Sequence, residues 1–288
     1  MRKSRPAAFK GRHFQEEVIL LCVRWYLRYS LSYRDLEEMM AERSLSVDHS
    51  TIARWVLRYA PILHQRIRRH LRHPNRSWRV DETYVRVAGR WTYLYRALDS
   101  EGNTIDFMLS PHRDRTAAKH FLQLALWRVG HRRPRVINVD GHPAYPSVIA
   151  ELKKSGELSN RCQYRRSPYK NNRIEQDHRF IKKRIVASQW FRSVQGALAT
   201  IPGYEAMHML RKGQIRWVKK GDIAEQVRFV NRIFGLAVKC HDLTLPCAPS
   251  ILFATQPTEI GVTSKGQHFS GAPVCYRDRS SFLIERCE

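Results

Sequence analysis

Three acids carry the chemistry that this sequence can do. Asp81 closes the run Ser77-Trp-Arg-Val-Asp81. Asp140 closes Arg135-Val-Ile-Asn-Val-Asp140 and is followed by Gly141. Glu175 stands within Asn171-Asn-Arg-Ile-Glu175-Gln-Asp-His178-Arg179-Phe-Ile-Lys182. The first two segments are apolar runs ended by an acid, the pattern of a buried strand that delivers a carboxylate at its end. The third reads as a helix opening after a turn. On a 3.6-residue period Glu175, His178 or Arg179, and Lys182 share one face, with Ile174, Ile181, Ile185 and less closely Phe180 beneath. Two strand acids and one helix acid form a compact set of hard oxygen donors, the ligand type that magnesium takes. By simple alternation Glu82 and Asp177 point off the metal-facing side, which makes both poor ligands. His178 reads equally as a side chain touching the site or as one hydrogen-bonded behind it.

Composition indicates the partner. The chain has 288 residues and is 43% hydrophobic, enough for one or two domains with a core. Its formal net charge of +25 points to a polyanion, of which nucleic acid is the commonest. No apolar run reaches membrane-spanning length and the N-terminus lacks a signal-peptide core, so a cytoplasmic protein without a membrane partner is expected. The charge is uneven. In residues 239–288, Lys239, Lys265, Arg277, Arg279 and Arg286 balance Asp242, Glu259, Asp278, Glu285 and Glu288, so the preceding residues hold the whole excess. Cys240, Cys247, Cys275 and Cys287 also lie there, and none forms a C-x-x-C pair. Neither a zinc site nor a disulfide framework is expected.

The elements that position the acids follow from the apolar periods. Helices are expected over 15–29, over 33–42 with Ser32 as cap and Asp35 completing a near capping box, and over 51–59 behind Asp48 or Ser50. Three short helices with a tight turn before the third suggest a helix-turn-helix module across residues 1–60. Thr51, Arg54 and Arg58 lie on the third helix opposite its apolar side, where arginines can make paired hydrogen bonds to guanine edges. The alternative is a plain helical cap with solvated arginines. Residues 61–77 read as a basic linker, with Arg68 and Arg69 on DNA phosphates. From 78 to 190 the pattern becomes α/β: strands at 78–87, 91–98 and 104–110, a helix over 116–129, a strand at 135–140, a helix over 143–155, a short strand near 162–164, then the Glu175 helix. Helices over 197–215 and 223–238 fill residues 191–238. The tail, 239–288, has four prolines and no sustained period, and is expected to order poorly.

With these residues named, the chain resembles the DDE transposases and retroviral integrases, and within them the bacterial transposases of the insertion-sequence six family. The words that carry the resemblance are Phe9-Lys-Gly-Arg-His-Phe14, Ser32-Tyr-Arg-Asp-Leu36, Val47-Asp-His-Ser-Thr-Ile52 with Arg54-Trp55, Trp78-x-x-Asp81-Glu-Thr-Tyr84, Asp140-Gly141, and Tyr169-Lys-Asn-Asn-x-x-Glu175-Gln-Asp-His-Arg179-x-x-Lys182. Among 26 acids a triplet alone is weak evidence; the flanking words in the correct order make the match specific. The resemblance implies an RNase H-like mixed-sheet α/β catalytic core preceded by an all-α helix-turn-helix domain, and the element order above fits it. It also implies that Asp81, Asp140 and Glu175 bind two Mg2+ ions, with Mn2+ as a substitute. Arg179 is a further expected DNA contact, and Lys182 would hold a phosphate near the metals. The implied reaction is strand cleavage and strand transfer, typically replicative, at terminal inverted repeats and target DNA, by a homodimer. Three rivals are weaker. A DNA-binding regulator with leftover carboxylates is disfavoured because all three acids are present. A tyrosine or serine recombinase lacks a convincing Arg…His-x-x-Arg…Tyr arrangement, and a simple RNase H-like nuclease would not need the N-terminal helices.

Overall fold

The structure is a computed structural model, and it describes residues 6–128, 133–167 and 172–236. The tail at 239–288 lies outside the described residues, as does Asn171. Five strands form one mixed sheet in the order β3-β2-β1-β4-β5. β1 (Ser77–Val87), β2 (Arg90–Asp99) and β3 (Thr104–Ser110) are antiparallel neighbours. β4 (Val136–Val139) and β5 (Gln163–Arg166) add in parallel on the other side of β1. With a helix between β3 and β4 and another between β4 and β5, this is the RNase H-like arrangement. Eight α-helices are described: α1 (Glu16–Arg28), α2 (Tyr33–Ala41), α3 (His49–Arg68), α4 (Arg115–Trp127), α5 (Ala144–Lys154), α6 (Asn172–Ala187), α7 (Val194–Lys212) and α8 (Ile223–Ile233).

Side-chain alternation along β1 divides the core in two. Trp78 and Val80, with Tyr95, Ala97, Ile137 and Val139, pack against Phe121 and Leu122 of α4 and Tyr145, Val148 and Leu152 of α5. Val85 and Val87, with Leu94, face the other way into a larger cluster. That cluster joins Ile181 and Ile185 of α6 to Tyr204 of α7 and to Leu27, Ile52, Tyr59 and Leu63 of the N-terminal helices. The sheet therefore carries helices on both faces.

Helix starts follow their caps. Ser32 and Asp35 make the full reciprocal capping box, the Ser32 hydroxyl accepting from Asp35 N–H at 3.1 Å and Asp35 accepting from Ser32 N–H at 2.8 Å. One boundary differs from expectation. The third helix does not end near Tyr59 but runs through Pro61 to Arg68, so the first half of the expected linker is helical. An interior proline costs about 3 kcal/mol. Here the buried stripe Ile52, Val56, Tyr59, Leu63 and Ile67 continues unbroken across it, and that burial offsets the loss. Closeness of helices fixes Gly203 in α7: a Cβ there would lie 2.6 Å from Ala60 of α3 and 2.8 Å from Leu27 of α1.

Candidate active site

Asp81 sits on β1 one residue past Val80, and Val80 pairs with Val139, the last residue of β4. Asp140 follows immediately. Two adjacent parallel strands thus bring their acids to one place. Gly141 turns the chain away at φ 117°, where an added Cβ would meet the Arg166 guanidinium at 2.4 Å. The positive φ favours glycine there, and a side chain would also have to displace the Arg166 guanidinium. Asp140 is held by the His142 N–H at 3.0 Å, and Asp81 accepts from the Glu82 N–H at 2.8 Å.

The third acid in the cluster is Glu82. Asp81, Glu82 and Asp140 each offer an oxygen, and these lie within 4.8 Å of one another. Alternation itself holds, since Asp81 faces His178 of α6 while Glu82 faces the side of Tyr145 on α5. Asp140 leaves the end of β4, however, where both of its neighbours reach it. The expectation that Glu82 stands clear of the acids is corrected on that ground.

Electrostatics mark the cluster as short of positive charge. Burial, then the charges of Asp140, Glu82 and Glu175, push the Asp81 carboxyl up to about 7. Burial also raises Glu82, against the pull of Arg113. Neither Glu82 oxygen makes a well-formed hydrogen bond, although its side chain is only 1% exposed and the Tyr145 hydroxyl is its near polar neighbour. The nearest guanidinium, Arg113, stays 3.7 Å from Glu82 and 3.9 Å from Asp140. Two buried carboxylates and the partly exposed Asp140, which repel one another and have few donors between them, fit a divalent cation bound through oxygen.

Glu175 stands on the first turn of α6, exposed and outside this group, though its charge is felt at Asp81. His178 lies on the buried side of α6 with Nδ1 3.6 Å from Asp81, and burial, with Arg96 nearby, keeps its ring neutral. Lys182, two turns past Glu175, places its ammonium 4.4 Å from the centre of the Tyr84 ring. Arg179 is exposed.

Residues that composition could not reveal hold α6 in place. Arg96 of β2, fully buried, binds Glu205 of α7 through Nε at 2.7 Å and Nη2 at 3.0 Å, and its Nη2 also donates to Asp177 of α6. Asp177 further accepts from His208 at 2.6 Å and Lys212 at 3.2 Å. Although burial opposes it, Arg96 and Lys212 hold the Asp177 carboxyl well below the usual range. Asp177 thus faces away from the acids, as alternation predicts. The one sequence signal was an arginine inside the apolar run Leu94-Tyr-Arg96-Ala-Leu98.

The expected DNA contacts divide. Thr51, Arg54 and Arg58 fall on the outer side of α3; Arg54 and Arg58 are exposed, and Arg54 donates to the Thr51 hydroxyl at 2.9 Å. Arg69 is exposed at the end of α3. Arg68 is different: its side chain is 15% exposed and donates to the fully buried Asp106 at 3.2 Å and to the Ile105 carbonyl at 3.2 Å. It stabilises β3 and does not face a phosphate.

Among the described residues no helix is long and apolar enough to cross a membrane. The family model for a DDE domain matches residues 75–214. A transposase for the insertion sequence-like element IS431mec, from Staphylococcus aureus, is 37% identical over 240 residues, covering 83% of this chain and 98% of the relative. A Staphylococcus aureus transposase for insertion sequence element IS257 in transposon Tn4003 is 36% identical over the same shares. Among solved structures, the HTLV-2 integrase catalytic core domain in complex with magnesium shares 17% identity at a TM-score of 0.38, covering 51% of this chain and 94% of that one.

Proposed function

The chain belongs to the insertion-sequence six family of DDE transposases, and from that premise we propose that it cuts DNA strands at terminal inverted repeats and joins the freed 3′ ends to target DNA, by a replicative route. The observation that carries the reading is the meeting of Asp81, within β1, and Asp140, just past the end of its parallel neighbour β4, with Asp81 buried enough to be lifted to about 7. When bound by Asp81, Asp140 and Glu175, two Mg2+ ions, or Mn2+ in their place, would activate the attacking water or 3′-hydroxyl and stabilise the leaving oxygen.

The chain's own residues supply binding and alignment. Asp81 and Asp140 are fixed by strand register, and α6 carries Glu175 outside their cluster, near enough for its charge to be felt at Asp81. His178, neutral and 3.6 Å from Asp81, limits the orientations that carboxylate can take. Lys182 and Arg179 hold DNA phosphate beside the acids. Residues 1–60 form the end-reading module, in which Thr51, Arg54 and Arg58 read base edges in the major groove, while Arg69 steadies the backbone. Residues 78–190 form the catalytic core. Two copies of the chain would bring two ends together, in the cytoplasm where bacterial DNA lies.

The test is strand cleavage of an end duplex with added Mg2+. Asp81→Asn, Asp140→Asn and Glu175→Gln should each abolish cleavage and keep end binding. A variant that still cleaves as the wild type does removes its residue from the ligand set.

A further inference from the structure

Past Val80, β1 loses β4 as a neighbour, and the structure places an exposed aromatic group beside this free half of the strand. Tyr84 is 53% exposed and Trp91 of β2 is 54% exposed, against the burial normal for such side chains. Their ring centroids are 5.3 Å apart at 88°. Trp190, just beyond α6, meets Trp91 at 5.7 Å and again 88°. The rings meet edge to face, so they do not cover one another, and much of Tyr84 and Trp91 stays open to solvent. Lys182 sits over Tyr84, and Arg86 and Arg90, both exposed, flank the group.

The group is rigidly built. Ala88 and Gly89, both at positive φ, make the tight turn that sets Trp91 across from Arg86. Gln189 and Trp190 take φ of 56° and 65°, a conformation that costs bulky residues energy. They are held there by N–H bonds to Val186 at 2.9 Å and to Ile185 at 3.0 Å, while Ala88 N–H bonds the Phe191 carbonyl at 2.8 Å. The end of α6 is thereby tied to the β1–β2 turn, and Trp190 is fixed against Trp91.

We propose that Tyr84, Trp91 and Trp190 form a stacking platform for unpaired DNA bases, starting about 10 Å along β1 from Asp81. The inference rests on the reading of the carboxylates as a strand-cleaving site. Exposed ring faces with cations beside them match a nucleotide, whose base stacks on the ring while its phosphate meets Lys182, Arg86 or Arg90. Only unpaired bases present a free face, and strands are parted where a duplex is cut and rejoined. A second copy of this chain, equally basic, would have to bring further positive charge onto the same patch.

The experiment follows tryptophan fluorescence of the full chain while a twelve-residue oligothymidylate, or a random duplex, is added without metal. The wild type is expected to be quenched by the single strand. Trp91→Ala should bind it about tenfold more weakly and Trp91→Phe should restore most of the affinity, with duplex binding unchanged by either. Because Trp91 is exposed, both variants should keep the wild-type melting temperature. Unchanged single-strand affinity in Trp91→Ala overturns the proposal, as does equal loss on both DNAs. Conversion of a dimer to a monomer with single-strand binding intact overturns it too, by assigning the patch to a second copy. The readout needs no cleavage: a wild type that binds through Trp91 yet never cuts an end duplex would sink the catalytic reading and leave the platform standing.

Discussion

Asp81 and Arg96 are register partners across β1 and β2, so the acid at the centre of the site and a fully buried guanidinium leave the same face of the sheet. Arg96 then binds Asp177, two residues beyond Glu175, and Glu205 of α7. One buried arginine therefore links the strand beside Asp81 to the helix that carries Glu175. α6 has no carboxylate of its own inside the cluster, and Asp177 gives it a buried ion-pair tie to the sheet beneath Asp81, beside the apolar packing of Ile181 and Ile185.

Asp177→Asn should accordingly destabilise the protein, because removing one member of a buried ion pair costs about 3–5 kcal/mol. It should also lower kcat for strand cleavage far more than it raises KM for end DNA, since α6 carries Glu175, His178 and Lys182. Melting curves and cleavage rates measured together decide this. A variant with the wild-type melting temperature and wild-type cleavage would show that the pair does not position α6.

Glu82 supplies a second contrast. If it only adds negative charge beside Asp140, Glu82→Gln should bind Mn2+ more weakly while keeping measurable cleavage at high metal, whereas Asp81→Asn should lose cleavage at every metal concentration. Manganese binding to the DNA-free protein, followed by electron paramagnetic resonance, reads this directly. Equal Mn2+ affinity in wild type and Glu82→Gln would exclude Glu82 from any share in the cation.

The arginines of α3 and its C-terminal end should split by residue. Arg54→Ala or Arg58→Ala should weaken binding to the element's ends by about 1–3 kcal/mol while leaving random duplex unaffected, if a paired base contact is lost. Arg69→Ala should weaken both alike and flatten the salt dependence. Arg68→Ala should do neither. Its loss leaves Asp106 with Arg128, at 2.6 and 3.0 Å, and the Phe107 N–H at 2.9 Å, and should lower stability by about 2 kcal/mol. Gel shifts on the two duplexes, with melting curves, distinguish the four.

His64 gives a pH dependence with a definite sign. Burial, then the charges of Arg68 and Arg128, push its imidazole down to about 3, and it packs on Phe107 at 5.2 Å. An unfolded histidine takes a proton below about pH 6.5. Between that value and about 3 the unfolded chain therefore binds more protons than the folded one, and stability falls as pH falls. The melting temperature should drop between pH 7 and pH 4 less steeply in His64→Gln than in the wild type. Parallel curves would mean that His64 is charged in the folded protein.

The strands and helices of the core were legible because their apolar periods are long and bounded by glycine, proline or a cap. β1, β3 and α5 fall within a residue or two of expectation. What local pattern could not show was anything decided by a distant partner. Arg68 looks like its neighbours in a basic run, and only Asp106, on a strand 38 residues away, turns it inward. Alternation placed Glu82 on the correct face, yet the end of β4 brings Asp140 within its reach. Pro61 reads as a stop, and the burial of Leu63 and Ile67 against other helices overrides it.

The tail gives the last expectation. Phe229, Val230, Phe234 and Leu236 are buried in the helical cluster, where Phe234 lies 5.8 Å from Phe9 and 6.2 Å from Tyr59. Leu236 N–H bonds the Asn231 carbonyl at 3.0 Å and closes the end of α8. Among the described residues this packing runs to Leu236, and the Staphylococcus aureus relatives align over 240 residues. A protein ending at Val238 should melt within a few degrees of the full chain, bind the same end duplex and cleave it at a similar rate. Because residues 239–288 carry no net charge, its binding should also keep the same salt slope. A shortened protein that is insoluble or inactive would mean that the tail completes the core or joins the two copies.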